Sequence, residues 1–322
     1  MAFEKDSILI DAKKETERII NELRNIVAKK LHKRGAVVGV SGGIDSSVVL
    51  ALCANAFGAE KVLALMMPDK DSSPDSLNLA KKLVEKFNVP YLVEDITEAV
   101  NGFGAYKRRD EAVKKVFPEY NELYKMKIVL PKDDEAKGKL NVYYVTIISP
   151  DGEEKTARLP LAEYLQIVAA SNFKQRSRTN FLYYHAEARN YAVIGTGNKN
   201  EHEQGFFVKY GDGGADVKPI AHLFKTQVYQ LAEYLGVPEE IQKRTPTTDT
   251  YSAEQTQEEF FFRLPYSILD RIWYGWEKGF SSKDIADALN LTEAQVDVVI
   301  KDIKQKIQTT EYLRMEPISL NH

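Results

Sequence analysis

Gly39-Val40-Ser41-Gly42-Gly43-Ile44-Asp45-Ser46-Ser47 lies between two apolar runs, 36–40 before it and 48–57 after it. A short β-branched run, a glycine bend and a longer apolar run spell strand, turn and helix. Gly42 and Gly43 leave backbone N–H groups uncovered and let a ligand approach closely. The helix that follows points its positive end at the same spot. Ser41, Ser46 and Ser47 add hydroxyls, so the loop suits phosphate oxygens. Asp45 is misplaced beside a bare polyanion but well placed if Mg²⁺ lies between them. The common phosphate loop ends in Gly-Lys-Ser/Thr, and no lysine stands at that position here. The competing reading is an ordinary strand-to-helix turn with an Asp/Ser cap. Two glycines, three serines and an aspartate at this spacing argue against it.

The chain has 322 residues, of which 43% are hydrophobic, enough for one large or two modest domains and a sizeable core. A formal net charge of −3 gives no general reason to expect nucleic acid as a partner. The single cysteine, Cys53, excludes an internal disulfide and argues for a reducing compartment. No signal peptide or membrane-spanning window is evident, so a cytoplasmic location is expected.

Strands are expected over 36–40, 61–67, 91–96 and 191–195. Helices are expected over 8–31 and 72–88, the second opened by a serine cap and Pro74. Alternating strands and helices predict an α/β fold: a Rossmann-like, doubly wound parallel sheet with helices on both faces. Ligands in such sheets bind at the carboxyl ends of the strands. The rhythm breaks over 105–160. There a helix over 107–117 precedes apparent antiparallel strands over 126–130, 141–148 and 154–159, joined by polar turns at 132–138 and 150–152. That span reads as an inserted β-rich element within a single domain covering 1–322, and 264–322 reads as a C-terminal helical part. Residues 281–296 look like helix, turn, helix. Their acidic character favours a helical hairpin over a DNA reader.

Three more segments agree with the loop. Tyr191-Ala192-Val193-Ile194-Gly195-Thr196 ends a strand at a threonine, with Glu201 shortly after. Gly205-Phe206-Phe207-Val208-Lys209-Tyr210-Gly211-Asp212-Gly213-Gly214-Ala215-Asp216 has the look of a substrate loop. Lys225 stands in the first turn of a helix, where a cation opposes the helix dipole unless an anion is near. The Ser-Gly-Gly-x-Asp-Ser loop alone resembles that of the ATP pyrophosphatases. With these segments in order, the chain resembles the NAD synthetases of that superfamily over most of its length outside 105–160.

That resemblance implies ATP-dependent amidation of nicotinic acid adenine dinucleotide (deamido-NAD) with ammonia, through an acyl-adenylate, releasing AMP and pyrophosphate. It implies that Asp45 and Glu201 hold Mg²⁺. It implies that 39–47, Thr196, Thr247 and Lys225 bind ATP, which takes in Gly39, Val40, Ser41, Gly42, Gly43, Ile44, Asp45, Ser46 and Ser47. Arg176, Lys209 and Asp216 match substrate contacts. Asp45, Lys225 and Asp216 are the candidate catalytic groups, with Asp216 as acceptor of the ammonium proton. Cys53 is misplaced for a glutaminase nucleophile and the loop begins near residue 39, so free ammonia is the expected donor. The resemblance also implies a homodimer. The runs Phe260-Phe261-Phe262 and Trp273-Tyr274-Gly275-Trp276 could serve its interface or the core. Leu313 stands where the family usually has a lysine, Ser171 where it has glycine, and 250–262 departs from its usual loop. These departures leave room for another ligase of the superfamily, acting on a different carboxylate or nucleotide. A degenerate nucleotide-binding regulator is the rival from another class. The intact Asp45, Glu201 and Lys225 speak against it.

Overall fold

A computed structural model of the chain describes residues 3–129, 143–247, 251–253, 255–262 and 264–320. The turn expected over 132–138, and the strand ends expected at 130 and 141, lie outside these. Helix α1 (Ala12–Arg24) runs into a π-type turn over Asn25–Lys30 and leads to β1 (Ala36–Gly39). Then come α2 (Ile44–Phe57), β2 (Val62–Met66), α3 (Pro74–Phe87) and β3 (Tyr91–Val93). The expected cap of α3 is present: Ser73 Oγ accepts from the Asp75 N–H and Pro74 opens the helix. After α4 (Thr97–Gly102) and α5 (Ala105–Lys114) come β4 (Lys125–Val129), β5 (Tyr143–Ile148) and β6 (Glu154–Leu159). The long α6 (Leu161–Arg189) then returns the chain to β7 (Ala192–Ile194).

The main sheet has the order β3-β2-β1-β7 and is parallel, with Val38 opposite both Ala64 and Ile194. β1 and β3 start where expected but end early, β3 at Val93 rather than 96, and β2 and β7 are one residue shorter at each end. Alternation divides the faces. Val38, Ala64, Met66 and Ile194 pack under α1, α2 and α3, whereas Val37, Leu63, Leu65 and Val193 pack under α6. The chain moves outward from β1 to β3 and then returns to the other side of β1. The gap between β1 and β7 is therefore the topological switch point, where such folds open a crevice.

The inserted strands form a separate antiparallel sheet, β4-β5-β6, with its own core around Met126, Val145 and Ile147. Beyond β7 come α7 (Lys199–Gln204), α8 (Lys225–Leu235) and α9 (Glu239–Lys243). The C-terminal part holds α10 (Tyr266–Glu277), α11 (Ser282–Leu289), α12 (Glu293–Thr309) and α13 (Glu311–Arg314). Helices α11 and α12 bury Ile285, Val296 and Ile300 against Ile272 of α10 and Phe3, a helical hairpin as expected. Trp273 and Phe262 are core residues, packed with Phe224 and Ile303. Cys53 is fully buried, and burial pushes its thiol pKa up. Among the described residues no helix is long and apolar enough to cross a membrane.

Candidate active site

At the switch point lies a cleft of about 1270 Å³, larger than one nucleotide needs. Its floor is the loop after β1. Gly42 has φ 77°, and a Cβ there would lie 2.4 Å from the Ser76 carbonyl oxygen, so only glycine fits. Gly43 is the N-cap of α2 and offers no capping side chain. The first N–H groups of α2 have no partner inside the helix. The Ser46 and Ser47 hydroxyls both donate to the Gly43 carbonyl, at 3.0 and 2.8 Å, and fix the bend. Ser41, Gly43, Ile44, Asp45 and Ser46 face the cleft. Ser47 is buried under the bend, so its hydroxyl holds the loop rather than a ligand.

Asp45 is engaged on both oxygens. Oδ2 is ion-paired with the Lys225 ammonium, and Oδ1 accepts from Asn198 Nδ2 at 3.0 Å. Lys225 opens α8 and is 1% exposed, so Asp45 supplies the anion its place at a helix N-terminus requires. The Lys225 backbone N–H donates to Asn200 Oδ1 at 2.9 Å, and Asn200 Nδ2 donates to Asp270 at 2.6 Å. Asp270 also accepts from the Thr226 N–H, so two buried side chains orient the first turn of α8.

Glu201 is brought alongside Asp45 by Asn198, the N-cap of α7. Asn198 Oδ1 accepts from the Glu201 N–H and Glu201 Oε2 accepts from the Asn198 N–H, both at 3.1 Å, a reciprocal capping box. Burial first, and the Asp45 charge second, push the Glu201 carboxyl up to about 8. Two carboxylates this close repel, and a cation between them would relieve the repulsion. Among the described residues no three His, Cys, Asp or Glu side chains converge on one point. Two carboxylates suit an ion that fills the rest of its shell with phosphate and water, as Mg²⁺ does.

Thr196 at the end of β7 and Thr247 both face the cleft, as does Leu313. The three expected substrate contacts lie outside its wall. Arg176 Nε donates to the Lys209 carbonyl at 3.3 Å, and Lys209 Nζ donates to the Tyr312 and Met315 carbonyls at 2.9 Å each. Asp216 is a strand-edge residue: Oδ2 accepts from the Val193 N–H at 2.8 Å and Oδ1 from the Tyr183 hydroxyl at 3.2 Å. It therefore does not stand where a proton acceptor in the cleft must. Asp212, in the same glycine-rich segment, does face the cleft, with Oδ1 accepting from the Val208 N–H at 2.8 Å. Lys218 faces it too, with its ammonium pKa lowered by burial. Arg178 lines the wall, bound to the Met67 carbonyl and Asp69. Sequence reasoning missed Asn198. The Asn-x-x-Glu spacing of a capping box was the signal that could have found it.

The chain matches the NAD synthase family over residues 15–127 and 146–317. It is 51% identical over 311 residues to the NH(3)-dependent NAD(+) synthetase of Mesorhizobium japonicum, covering 97% of each chain. It is 48% identical over 317 residues to the enzyme of the same name from Rhizobium meliloti, covering 98% of this chain and 94% of that one. Solved structures with the same fold include an NMN synthetase from Francisella tularensis (TM-score 0.66, 23% identity) that covers 97% of this chain and 100% of that one. Another is an NH3-dependent NAD synthetase from Campylobacter jejuni (TM-score 0.62, 23% identity), with the same coverage. With matches of this extent and a nucleotide-sized cleft at the switch point, the chain belongs to the NAD synthase family.

Proposed function

We propose that the chain is an ammonia-dependent NAD synthetase: it activates the nicotinate carboxylate of deamido-NAD with ATP and replaces the resulting adenylate by ammonia. One observation carries the site assignment. Asn198 ties Asp45 and Glu201 together beside the Lys225 ammonium, at the N-terminus of α2. The ATP phosphates would lie on the N–H groups of that helix and on Ser46, with Thr196 and Thr247 on the nucleoside side. Asp45 and Glu201 would hold Mg²⁺, which would neutralise charge on the departing pyrophosphate.

A carboxylate oxygen of the substrate attacks the α-phosphorus, and the bond to pyrophosphate breaks. Lys225 and the α2 amides meet the charge that develops on the leaving group. No protein nucleophile is needed. Holding two anions in line could lower the barrier by about 7 kcal/mol or more in ideal geometry. Ammonia then adds to the acyl carbon and AMP leaves. Ammonium must first lose a proton, and Asp212 is the carboxylate of the glycine-rich segment that faces the cleft and would accept it. Arg176, Lys209 and Asp216 lie beyond the cleft of one chain, and the Lys209 ammonium lies over the exposed Tyr210 ring. This placement supports a homodimer in which they meet substrate at the subunit boundary. A buried lone thiol and the absence of long apolar helices among the described residues fit a cytoplasmic enzyme.

The test is an ammonium-dependent assay with mass detection of NAD, AMP and pyrophosphate. Deamido-NAD, nicotinic acid mononucleotide and xanthosine monophosphate should be offered in parallel. Release of ADP in place of AMP, or turnover of another carboxylate alone, refutes the proposal. Mass measurement in solution checks the dimer.

A further inference from the structure

The inserted sheet meets the cleft at Tyr143 of β5 and, through its β4 edge, by way of residues that follow Thr247. β4 is an edge strand, so one side of its backbone has no partner within its own sheet. That side is taken up by residues that follow Thr247. The Met126 N–H donates to Ser252 Oγ at 2.9 Å, and the Ala253 N–H donates to the Met126 carbonyl at 3.1 Å. Gln255 Nε2 donates to the Ile128 carbonyl at 3.0 Å. Tyr251, 4% exposed, is buried in the core of the inserted sheet while its edge reaches the cleft.

The other end of this segment is fixed at the catalytic floor. The Gln257 N–H donates to the Pro246 carbonyl at 3.0 Å, and Thr247 pairs with Thr256. The Tyr266 hydroxyl donates to Gln257 Oε1 at 2.7 Å, and its N–H donates to Glu258 at 2.9 Å. The Lys225 ammonium lies 5.5 Å from the centre of the Tyr266 ring. Pro246, Thr247, Tyr251 and Gln257 all line the cleft. The insertion thus grips one end of the segment that bears Thr247, and the Lys225 side grips the other.

We infer that the inserted sheet is a template that sets the nucleotide-binding wall: the free edge of β4 takes up Ser252, Ala253 and Gln255 and thereby holds Thr247 and Tyr251 in place for ATP. Ser252 and Gln255 are positioning residues. Their contacts run to β4, and neither side chain faces the cleft. Two of these bonds come from side chains and one from the Ala253 backbone N–H, so the edge is covered by a bend of the same chain. The inference rests on the ATP reading above. The primary readout is therefore ATP binding, which does not depend on amidation.

The experiment compares the full-length chain with the double variant Ser252→Ala/Gln255→Leu and the conservative variant Ser252→Thr. Calorimetry with Mg²⁺ and ATP alone gives Kd, and steady-state assays give KM and kcat. Losing two net hydrogen bonds should weaken ATP binding and raise its KM by about tenfold. The kcat at saturating ATP should stay near that of the wild type, and Ser252→Thr should behave as wild type. Amide exchange at Ala253 should quicken in the double variant and slow again on adding ATP. An unchanged Kd for ATP overturns the inference. So does a fall in kcat and Tm with KM unchanged, which would reduce the contact to general support of the fold. A chain that binds ATP with the expected pattern but fails to amidate would uphold this inference and overturn the proposed function.

Discussion

Replacing Asn198 by alanine should damage the metal and phosphate end of the site more than its small size suggests. The side chain is 0% exposed and makes two bonds that alanine cannot. Its Oδ1 caps α7 through the Glu201 N–H, worth about 1 kcal/mol. Its Nδ2 donates to the Asp45 carboxylate, a charge-assisted bond worth about 1.5–3 kcal/mol. Together they predict a loss of roughly 2.5–4 kcal/mol and, at about 2 °C per kcal/mol for a chain of this size, a Tm lower by about 5–8 °C. Function should suffer separately, because Asn198 orients both carboxylates proposed to hold Mg²⁺. Losing such an outer partner typically costs about 10–100-fold in metal affinity or rate. Asn198→Asp sharpens the test. It keeps the cap but sets a third carboxylate against Asp45, so it should be less stable than Asn198→Ala in EDTA and recover more with Mg²⁺. Thermal unfolding with and without Mg²⁺, together with initial rates against Mg²⁺ concentration, decides the matter. An alanine variant with wild-type Mg²⁺ dependence would refute the reasoning.

Lys225→Met should leave the buried Asp45 carboxylate uncompensated beside Glu201, costing about 3–5 kcal/mol in denaturant unfolding. It should also lower kcat roughly 10²–10³-fold in steady-state assays. Burial raises the Asp270 carboxyl to about 6, so the folded chain holds a proton that the unfolded chain releases from about pH 4 upward. Its stabilising contribution is full below that range and lost as pH rises through 6. The Tm of Asp270→Asn, minus that of the wild type, should therefore climb between pH 4 and 6. A flat difference would show that Asp270 keeps its charge when buried. Asp212→Asn should slow single-turnover attack of ammonia on preformed adenylate by about 10²-fold or more, whereas Asp216→Asn should leave that step near wild type. The reverse ranking would return the proton acceptor to Asp216.

The phosphate end of this site was legible because its function is written in backbone. A residue with φ 77° beneath a carbonyl must be glycine, and a helix that offers bare amides must begin without a side-chain cap. Asp45, Glu201 and Lys225 were legible because each stands in the first turn of a helix that follows a strand end or a polar loop, so their convergence follows from the sheet. The direction of side chains in the Gly205–Asp216 stretch was not legible. Asp212 and Asp216 differ by one turn of chain, yet one faces the cleft and the other caps the edge of β7. Arg176 and Lys209 were matched to substrate contacts from the resemblance. Lys209 meets carbonyls supplied by the C-terminal tail, a long-range partner that no local pattern announces. The inserted sheet was visible by its short strands and polar turns, but its grip on Ser252, Ala253 and Gln255 depends on which edge of β4 stays open, a fact of tertiary pairing.

The charge arrangement of the cleft also implies an order among its ligands. Without nucleotide, the Lys225 ammonium neutralises Asp45, while burial and the Asp45 charge push the Glu201 carboxyl pKa up. An incoming polyphosphate competes with Asp45 for that ammonium. If it arrived alone, Asp45 would be left without its partner beside Glu201 and beside the new phosphate charge. If a divalent ion arrived alone, it would meet a carboxylate already paired with a buried lysine. On the proposed reading each ligand would remove the obstacle to the other: phosphate would draw off Lys225, and Asp45 and Glu201 would be left to hold the ion. The coupling must be reciprocal, since the same change in partner enters both binding free energies. A lysine placed at a helix N-terminus against the dipole is thus tolerated because Asp45 compensates it at rest and the nucleotide compensates it at work.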